Sequence, residues 1–418
     1  MRITLLTAGT LGDVLPFVAL ARGLEAADYD VRLAVPPAFD KLVAEHDIAF
    51  APLANDYYDA VLTGRMKALR SGSHQKVMHN IKNVILPMAR ALLDDAWCAA
   101  KDADVIIFGP SVFAGSHIAE RRDIPAFIAS FAPIFTPTRA FPSPIVSIRS
   151  LGGFLNRLSY LHTWPLKLQF HKTINEWRRE VLDLPPRSLL TSETKHRGER
   201  IPVLHSYSRH LVPVPEDWPA SSVVTGFWRI ASAPDWRPPT DLVEFIEGGP
   251  PPIYVGFGSM VPRAPEELTR NVLAAIEQTG QRAVLKKASF ALDYGGVPAS
   301  CFLIESAPFD WLFPRMAAVV HHGGAGTLAA GLLAGRPSVV CPFFFDQPFW
   351  GNVVHRLGYS AKPIPLRTLT ADNLANAISS VVGNTEMQDR VGQIGEALRA
   401  EDGVGCAVEF INAWLETH

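Results

Sequence analysis

Short apolar runs alternate with amphipathic stretches along most of the chain. In the N-terminal part, residues 2–6, 31–35, 105–108 and 126–130 are strand-like apolar runs, and 14–27 has helical spacing behind a glycine-containing turn. Strands separated by helices predict a parallel sheet covered on both faces. Between residues 131 and 170 the alternation gives way to an irregular stretch rich in Pro, Phe and Leu. A proline-dense tract follows, with Pro213, Pro215, Pro219, Pro234, Pro238 and Pro239, then Pro250, Pro251 and Pro252. Proline continues neither a helix nor a central strand, so this tract reads as a linker or domain edge. The alternation then resumes, with strands at 253–257, 282–285, 317–320 and 338–342, a helix at 265–278 and a glycine-rich turn leading into a helix near Thr327. The pattern predicts an α/β protein of two doubly wound domains, with ligands expected outside the carboxyl ends of the strands.

Length and composition refine this picture only slightly. A chain of 418 residues exceeds one comfortable core, in keeping with two domains. Its net charge of −2 gives no global field that favours nucleic acid. Cys98, Cys301, Cys341 and Cys406 are widely spaced and form no C-x-x-C pair, which argues for a reducing compartment and against a zinc site. The apolar start meets Gly9, Gly12 and Asp13 too soon for a signal peptide, and no apolar run reaches the roughly 18 residues of a membrane span. A cytoplasmic protein is expected, with peripheral membrane contact left open and the oligomeric state undetermined.

The most informative stretch is Val319-Val-His-His322-Gly-Gly-Ala-Gly-Thr327. An apolar strand runs into histidine and small residues and then a helix start. Small residues admit a ligand close to the backbone, and a helix N-terminus offers unpaired N–H groups to an anion. His322 and Thr327 add side-chain donors, so the turn suits a diphosphate. A merely tight strand-to-helix turn is the competing explanation. The string matches neither the P-loop nor the G-x-G-x-x-G fingerprint.

Taken with Pro342-Phe-Phe-Phe-Asp346-Gln347-Pro-Phe-Trp350-Gly351 and Tyr254-Val-Gly-Phe-Gly258-Ser259-Met260, this turn resembles the UDP-glycosyltransferases of the GT-B fold. Gly9-Thr-Leu-Gly12-Asp13-Val-Leu-Pro16-Phe17 is similar to the first loop of that family. Within it the likeness is to the sterol 3β-glucosyltransferase-like branch, which includes bacterial antibiotic glycosyltransferases. Asp217-Trp218-Pro219, Thr225-Gly226-Phe227-Trp228 and Pro308-Phe-Asp310-Trp311-Leu312-Phe313 carry that closer likeness. The resemblance runs from residue 1 to about 365 and is weak between 142 and 206.

The resemblance implies two Rossmann-like domains facing a central cleft. Residues 1–212 would bind the acceptor, 213–240 would be the linker, 241–400 would bind the nucleotide sugar, and a final helix in 401–418 would cross back to the first domain. His322 and the backbone of Gly323, Gly324, Ala325, Gly326 and Thr327 would hold the diphosphate, with Ser259 helping from the opposite loop. These donors would stabilise the charge growing on the departing nucleotide, so no metal or other cofactor is expected. Asp346 and Gln347 would hydrogen-bond the hexose hydroxyls, while Ser306 and Ala307 would lie near the nucleobase. Asp13 is the candidate base, at the end of the first strand, although an Asp there also serves as a helix cap. Thr10, Phe131, Phe135, Phe141 and Trp164 are candidate acceptor contacts.

The expected activity is transfer of a hexose, glucose from UDP-glucose by resemblance, with inversion, to a hydroxyl of a sterol, lipid or polycyclic natural product. A sugar epimerase on the same fold and a non-catalytic nucleotide-sugar binder are the alternatives. Two departures from the family bear on UDP versus dTDP. Phe309 stands where the branch usually has His, and Lys286-Lys287-Ala-Ser289 stands where many relatives have Gly-Trp. The lysine pair reads either as a phosphate contact or as a solvated strand end. Residues 139–200 hold 11 Lys or Arg against five Asp or Glu, mixed with Trp, Phe and Leu, a composition that suits either an anionic bilayer or a solvated helical face. Asp28-Tyr-Asp30 and Asp102-Ala-Asp104 have D-x-D form, but each directly precedes a strand and reads as a helix-to-strand turn.

Overall fold

The computed structural model describes residues 1–62, 65, 74–146, 150–189, 191, 194–196, 199–231, 236–258, 264–292 and 296–417. It divides into two compact units. One comprises residues 1–209, 214–230 and 402–418, and the other comprises 210–213 and 231–401.

The first unit is built on a seven-stranded sheet: β1 (Arg2–Leu6), β2 (Asp30–Val35), β3 (Ala49–Pro52), β4 (Val105–Phe108), β5 (Ala126–Ser130), β6 (Val203–His205) and β7 (Ser222–Val224). All neighbours pair in parallel, in the order 3-2-1-4-5-6-7. The inner strands are buried on both faces, hence their nearly unbroken apolar runs. The proline-dense tract contributes β7, an edge strand where prolines flank the ladder without interrupting it. Helix α1 (Leu11–Glu25) follows β1 and buries Val14, Phe17, Val18 and Leu24. Asp30, Asp102 and Asp104 of the two D-x-D strings lie beside arginines at the N-terminal edge of this sheet. Arg2 reaches Asp30 at 2.8 Å and Asp102 at 2.5 Å, Arg32 reaches Asp102 at 2.6 Å, and Asp104 accepts the Arg2 N–H.

The stretch expected to be irregular contains α2 (Gly153–Leu158) and, after one 3₁₀ turn, α3 (Trp164–Glu180). Gly152 starts the run with a φ of +85°, a conformation costly for other residues. Helix α3 is anchored by two buried residues, Trp177 and Arg178. The Arg178 guanidinium donates to both Glu120 oxygens at 2.7 and 2.9 Å, to His117 Nδ1 at 2.9 Å and to the Pro185 carbonyl at 3.0 Å. Arg178 is buried, so removing its partners would leave a charge without compensation in the interior.

The second unit carries five parallel strands: β8 (Ile253–Gly256), β9 (Ala283–Lys286), β10 (Cys301–Ile304), β11 (Val319–His321) and β12 (Ser338–Val340), in the order 10-9-8-11-12. Helix α4 (Pro265–Thr279) follows β8, α5 (Ala325–Leu333) follows β11 and α6 (Gln347–Arg356) follows β12. Helix α5 begins two residues earlier than the sequence suggests, because Gly324 already has the extended backbone of an N-cap. The last helix, α7 (Gly403–Thr417), belongs to the first unit and packs on α1. Gly23 makes room for Val404, and Tyr29 donates to Asn412 at 2.7 Å.

Candidate donor and base sites

In an open parallel sheet the chain leaves the middle in opposite directions on either side of one strand pair, and a crevice opens above that pair. In the second unit the pair is β8 and β11. Strand β8 runs out into Phe257 and Gly258, whereas β11 runs out into His322, Gly323 and Gly324. The imidazole of His322 lies between two glycines. A Cβ on Gly258 would come within 2.9 Å of its Cε1, and one on Gly324 within 2.5 Å of its Nε2. Gly258 also has a φ of +74°, so both conformation and space exclude a side chain there. His322 Nδ1 is buried and makes no hydrogen bond among the described residues. Burial lowers the His322 pKa to about 4, so the ring is neutral at pH 7 and donates one N–H.

His321 has a structural role. It is wholly buried, and its Nδ1 accepts the Gly323 N–H at 3.1 Å, which fixes the turn. Burial brings its pKa down to about 3. Helix α5 then starts with Gly324 at the N-cap and no side-chain cap. Its first internal bond runs from Leu328 N–H to the Gly324 carbonyl at 3.0 Å, leaving the N–H groups of Ala325, Gly326 and Thr327 ahead of it. A Cβ on Gly326 would meet nothing within 4 Å, so the turn is open at that point. An anion fits the positive end of this helix, and donors arranged before it arrives need no reorganisation.

Asp346 and Gln347 stand at the start of α6, close to the same turn. A Cβ on Gly323 would lie 3.2 Å from the Gln347 carbonyl. Gln347 Oε1 accepts the backbone N–H groups of Phe343 at 2.8 Å and Phe344 at 3.4 Å. Asp346 Oδ2 accepts the Trp350 indole N–H at 3.0 Å. Both side chains therefore brace the loop in which Phe345 takes a φ of +56°. Ser289 was not among the expected site residues, yet its hydroxyl accepts the Phe257 N–H at 2.9 Å and so supports the strand end beside Gly258. Lys287 pairs with Glu305 at 2.8 Å, and Lys286 is half-buried with its pKa lowered by burial. Ser306 is exposed and Ala307 half-buried beyond β10. Phe309 stacks on Phe313 at 4.2 Å, in an apolar cluster that includes Tyr254. Ser259 lies outside the described residues.

In the first unit the corresponding strand pair is β1 and β4. Asp13 sits in the first turn of α1, and its Oδ2 accepts the Thr10 N–H at 2.8 Å and the Thr10 hydroxyl at 3.0 Å. The capping role is therefore realised, through one oxygen only. Burial raises the Asp13 pKa, against the opposing effect of the two Thr10 bonds. Around this loop the structure gathers three residues without a motif. Asn55 accepts from Gly9 N–H at 3.0 Å and donates to the Gly9 carbonyl at 3.2 Å. Ser111, beyond β4, accepts the Ala8 N–H at 2.9 Å, and Tyr58 donates to the Ser111 carbonyl at 2.6 Å. Their only sequence signal is position: Ser111 follows β4, the neighbour of β1, whereas Asn55 and Tyr58 follow β3, two strands from β1. Phe131 meets Phe17 edge-on at 6.0 Å, and Phe135 meets Phe113 at 6.5 Å. These two rings pack on the core clusters, while Phe141 and Trp164 are half-buried.

Two parallel doubly wound sheets, each with polar groups gathered at its switch point, define the GT-B architecture of glycosyltransferases. Comparison with known proteins agrees over the whole length. Residues 3–142 match the glycosyltransferase family 28 N-terminal domain, and residues 270–403 match the erythromycin biosynthesis protein CIII-like C-terminal domain. Two sterol 3-beta-glucosyltransferases of Arabidopsis thaliana are 37% and 33% identical over 98% and 99% of this chain. The chain spans 65% and 68% of their lengths, and 30% of a sterol 3-beta-glucosyltransferase of Aspergillus terreus that is 35% identical. The chain belongs to the sterol 3-beta-glucosyltransferase family. Among solved structures, the glycotransferase of kitacinnamycin superposes with a TM-score of 0.69 at 19% identity, covering 99% of this chain and 98% of its own. The glycosyltransferase VinC in complex with dTDP superposes with a TM-score of 0.65 at 19% identity, with both chains fully covered.

Proposed function

We propose that the protein is an inverting glycosyltransferase that moves glucose from UDP-glucose to the hydroxyl of a sterol or similar apolar alcohol. The observation that carries this reading is the β11–α5 turn, where a neutral imidazole clamped between two glycines adjoins an uncapped helix N-terminus. Such a turn suits a nucleotide diphosphate. The acceptor oxygen attacks the anomeric carbon on the side opposite the diphosphate. Asp13 takes the hydroxyl proton as the new C–O bond forms. The old C–O bond breaks, and its electron pair leaves with the nucleotide. The turn N–H groups and His322 stabilise the charge that accumulates there. Transfer by this route needs no metal and continues in the presence of a chelator. Asp346 and Gln347 hold the hexose through the groups that do not brace their loop. The acceptor is drawn from a membrane on the cytoplasmic side. The sterol glucosyltransferase relatives support glucose and a sterol, whereas VinC with dTDP makes the thymidine nucleotide the necessary competitor.

Titration of UDP, dTDP and UDP-glucose by calorimetry, on the native chain and His322→Ala, tests the donor site. Micromolar binding that largely disappears in the variant is expected, with UDP tighter than dTDP. No binding by folded protein would reduce the turn to architecture. Product analysis with UDP-glucose and a sterol completes the test: an altered nucleotide sugar without a glycosylated sterol would point to an epimerase.

A further inference from the structure

We propose that the outer face of α2 and α3 is a docking surface for a bilayer carrying anionic headgroups. This deepens the membrane source of the acceptor proposed above by assigning it to particular residues.

The polarity of α2 is inverted. Its buried residue is Asn156, 1% exposed, which accepts the Leu151 N–H at 2.9 Å and donates to the Arg139 carbonyl at 2.9 Å and to Ser150 at 3.2 Å. On the outside stand Phe154 at 73% exposure, Leu155 at 48% and Leu158 at 42%. The apolar positions continue at Leu161, 54% exposed, and Leu168, 53% exposed. Five exposed apolar side chains thus fall within the 15 residues 154–168, across α2, the 3₁₀ turn and the start of α3. Packing does not require this arrangement, because the run is held by Asn156, Tyr160, Trp177 and Arg178 on its inner side. Single exposed leucines are ordinary, but this concentration of exposed Leu and Phe in one short segment marks a surface with a partner.

Charge identifies the partner. From residue 124 to residue 175 the chain contains no Asp or Glu, and five Lys or Arg, in a protein whose net charge is −2. Arg139 and Arg157 are exposed at α2, and the exposed Lys172 of α3 pairs with Glu176 at 3.7 Å. The acid facing Arg139 and Arg157 from elsewhere is Asp217, held by Thr138 at 2.5 Å and by the Arg139 N–H at 2.9 Å, while the second acid of α3, Glu180, pairs with Arg90 at 2.9 Å. Leu and Phe bordered by basic residues match the depth profile of a bilayer surface, with apolar groups among the acyl chains and cations at the phosphates. A second copy of this chain would bring the same positive band against itself. Among the described residues no helix is long and apolar enough to cross a membrane.

Flotation of the full chain with phosphatidylcholine vesicles, with and without phosphatidylserine, tests this. Binding to the mixed vesicles alone is expected, weakening as salt rises. Leu158→Ser/Leu161→Ser should abolish it. Arg157→Gln should lower the partition coefficient about fivefold, and Lys101→Gln, on another face, should not change it. These residues are exposed, so melting temperatures should match the native chain. Three results would overturn the proposal: no flotation, equal flotation with neutral vesicles, or a lipid-free dimer that the leucine variants dissolve. Transfer to a water-soluble alcohol is read in parallel. Its loss with flotation intact would refute glycosyl transfer and leave the docking surface standing.

Discussion

The β1–α1 loop and the β11–α5 turn are the same construction with opposite electrostatics. Each sits at the switch point of a parallel sheet, and each passes from strand to helix through small residues. In the first, a carboxylate lies against the helix start and satisfies it: Asp13 Oδ2 holds Thr10, and a Cβ on Gly9 would come within 2.5 Å of that oxygen. In the second no acid stands in the first turn of the helix, and an imidazole without a charge lies beside the open N–H groups. A strand-to-helix turn favours an anion by its dipole. Filled from within by Asp13, that preference fixes a carboxylate. Left unfilled beside His322, it leaves N–H groups that suit an anion.

The sharpest way to break this comparison is Asp13→Asn. The amide oxygen can still accept from Thr10, so the helix start survives and the melting temperature should hardly change. Turnover should fall about 10²- to 10⁴-fold, the usual worth of a positioned base, with nucleotide affinity unchanged. A variant that melts early and keeps its turnover per folded molecule would leave Asp13 a cap only. In the native chain kcat/KM should fall as pH drops through the Asp13 pKa, which burial raises above the ordinary carboxylate value. The sign follows because the base must be unprotonated.

His322→Ala tests the other loop. Losing a donor to a charged phosphate costs about 1.5–3 kcal/mol, so nucleotide affinity should fall about 10- to 100-fold by calorimetry. Folding stability should barely respond, since the ring's Nδ1 has no partner among the described residues to strand.

How much of this was legible before folding depended on chain distance. The turn, its histidine and both sheets were readable because each lies within one strand–turn–helix unit, where periodicity and small residues are local signals. The GT-B fold expected from those motifs is the fold observed. Helices α2 and α3 were not readable: a glycine with positive φ and a buried asparagine organise them, and Leu155, Leu158 and Leu168 are exposed, so the usual apolar periodicity misleads. Asn55, Tyr58 and Ser111 were invisible for another reason: Asn55 meets Gly9, Ser111 meets Ala8 and Tyr58 meets Ser111 only because the sheet brings the ends of β1, β3 and β4 together. The double use of Gln347, as loop brace and expected sugar contact, needed coordinates too.

Gly324→Ala and Gly258→Ala divide the clamp around His322. At Gly324 the backbone angles suit any residue, so only the Cβ at 2.5 Å from Nε2 matters, and the ring must turn away. Nucleotide affinity should fall about tenfold, near the low end of losing the histidine's hydrogen bond, with stability retained. In Gly258→Ala the left-handed backbone adds about 1–2 kcal/mol of instability. Combining Gly324→Ala with His322→Ala should cost no more than His322→Ala alone, because both remove one interaction. Additive losses would mean that Gly324 contacts the nucleotide by itself.

The smallest effect is the most specific. In the empty protein burial holds His322 near a pKa of about 4, and a diphosphate beside the ring favours its charged form. The bound pKa must therefore lie above the free one, so binding takes up a proton between them. Affinity should be level above the bound pKa, strengthen as pH falls through it, and level off again below about 4. Calorimetry in two buffers of different ionisation enthalpy reads that uptake directly. The nucleotide's own phosphate titration is common to both proteins, so His322→Gln, which keeps a donor but cannot charge, serves as the subtraction. A smaller uptake in His322→Gln places the imidazole at the phosphates. Identical uptake in the two would mean that the ring only shapes the turn.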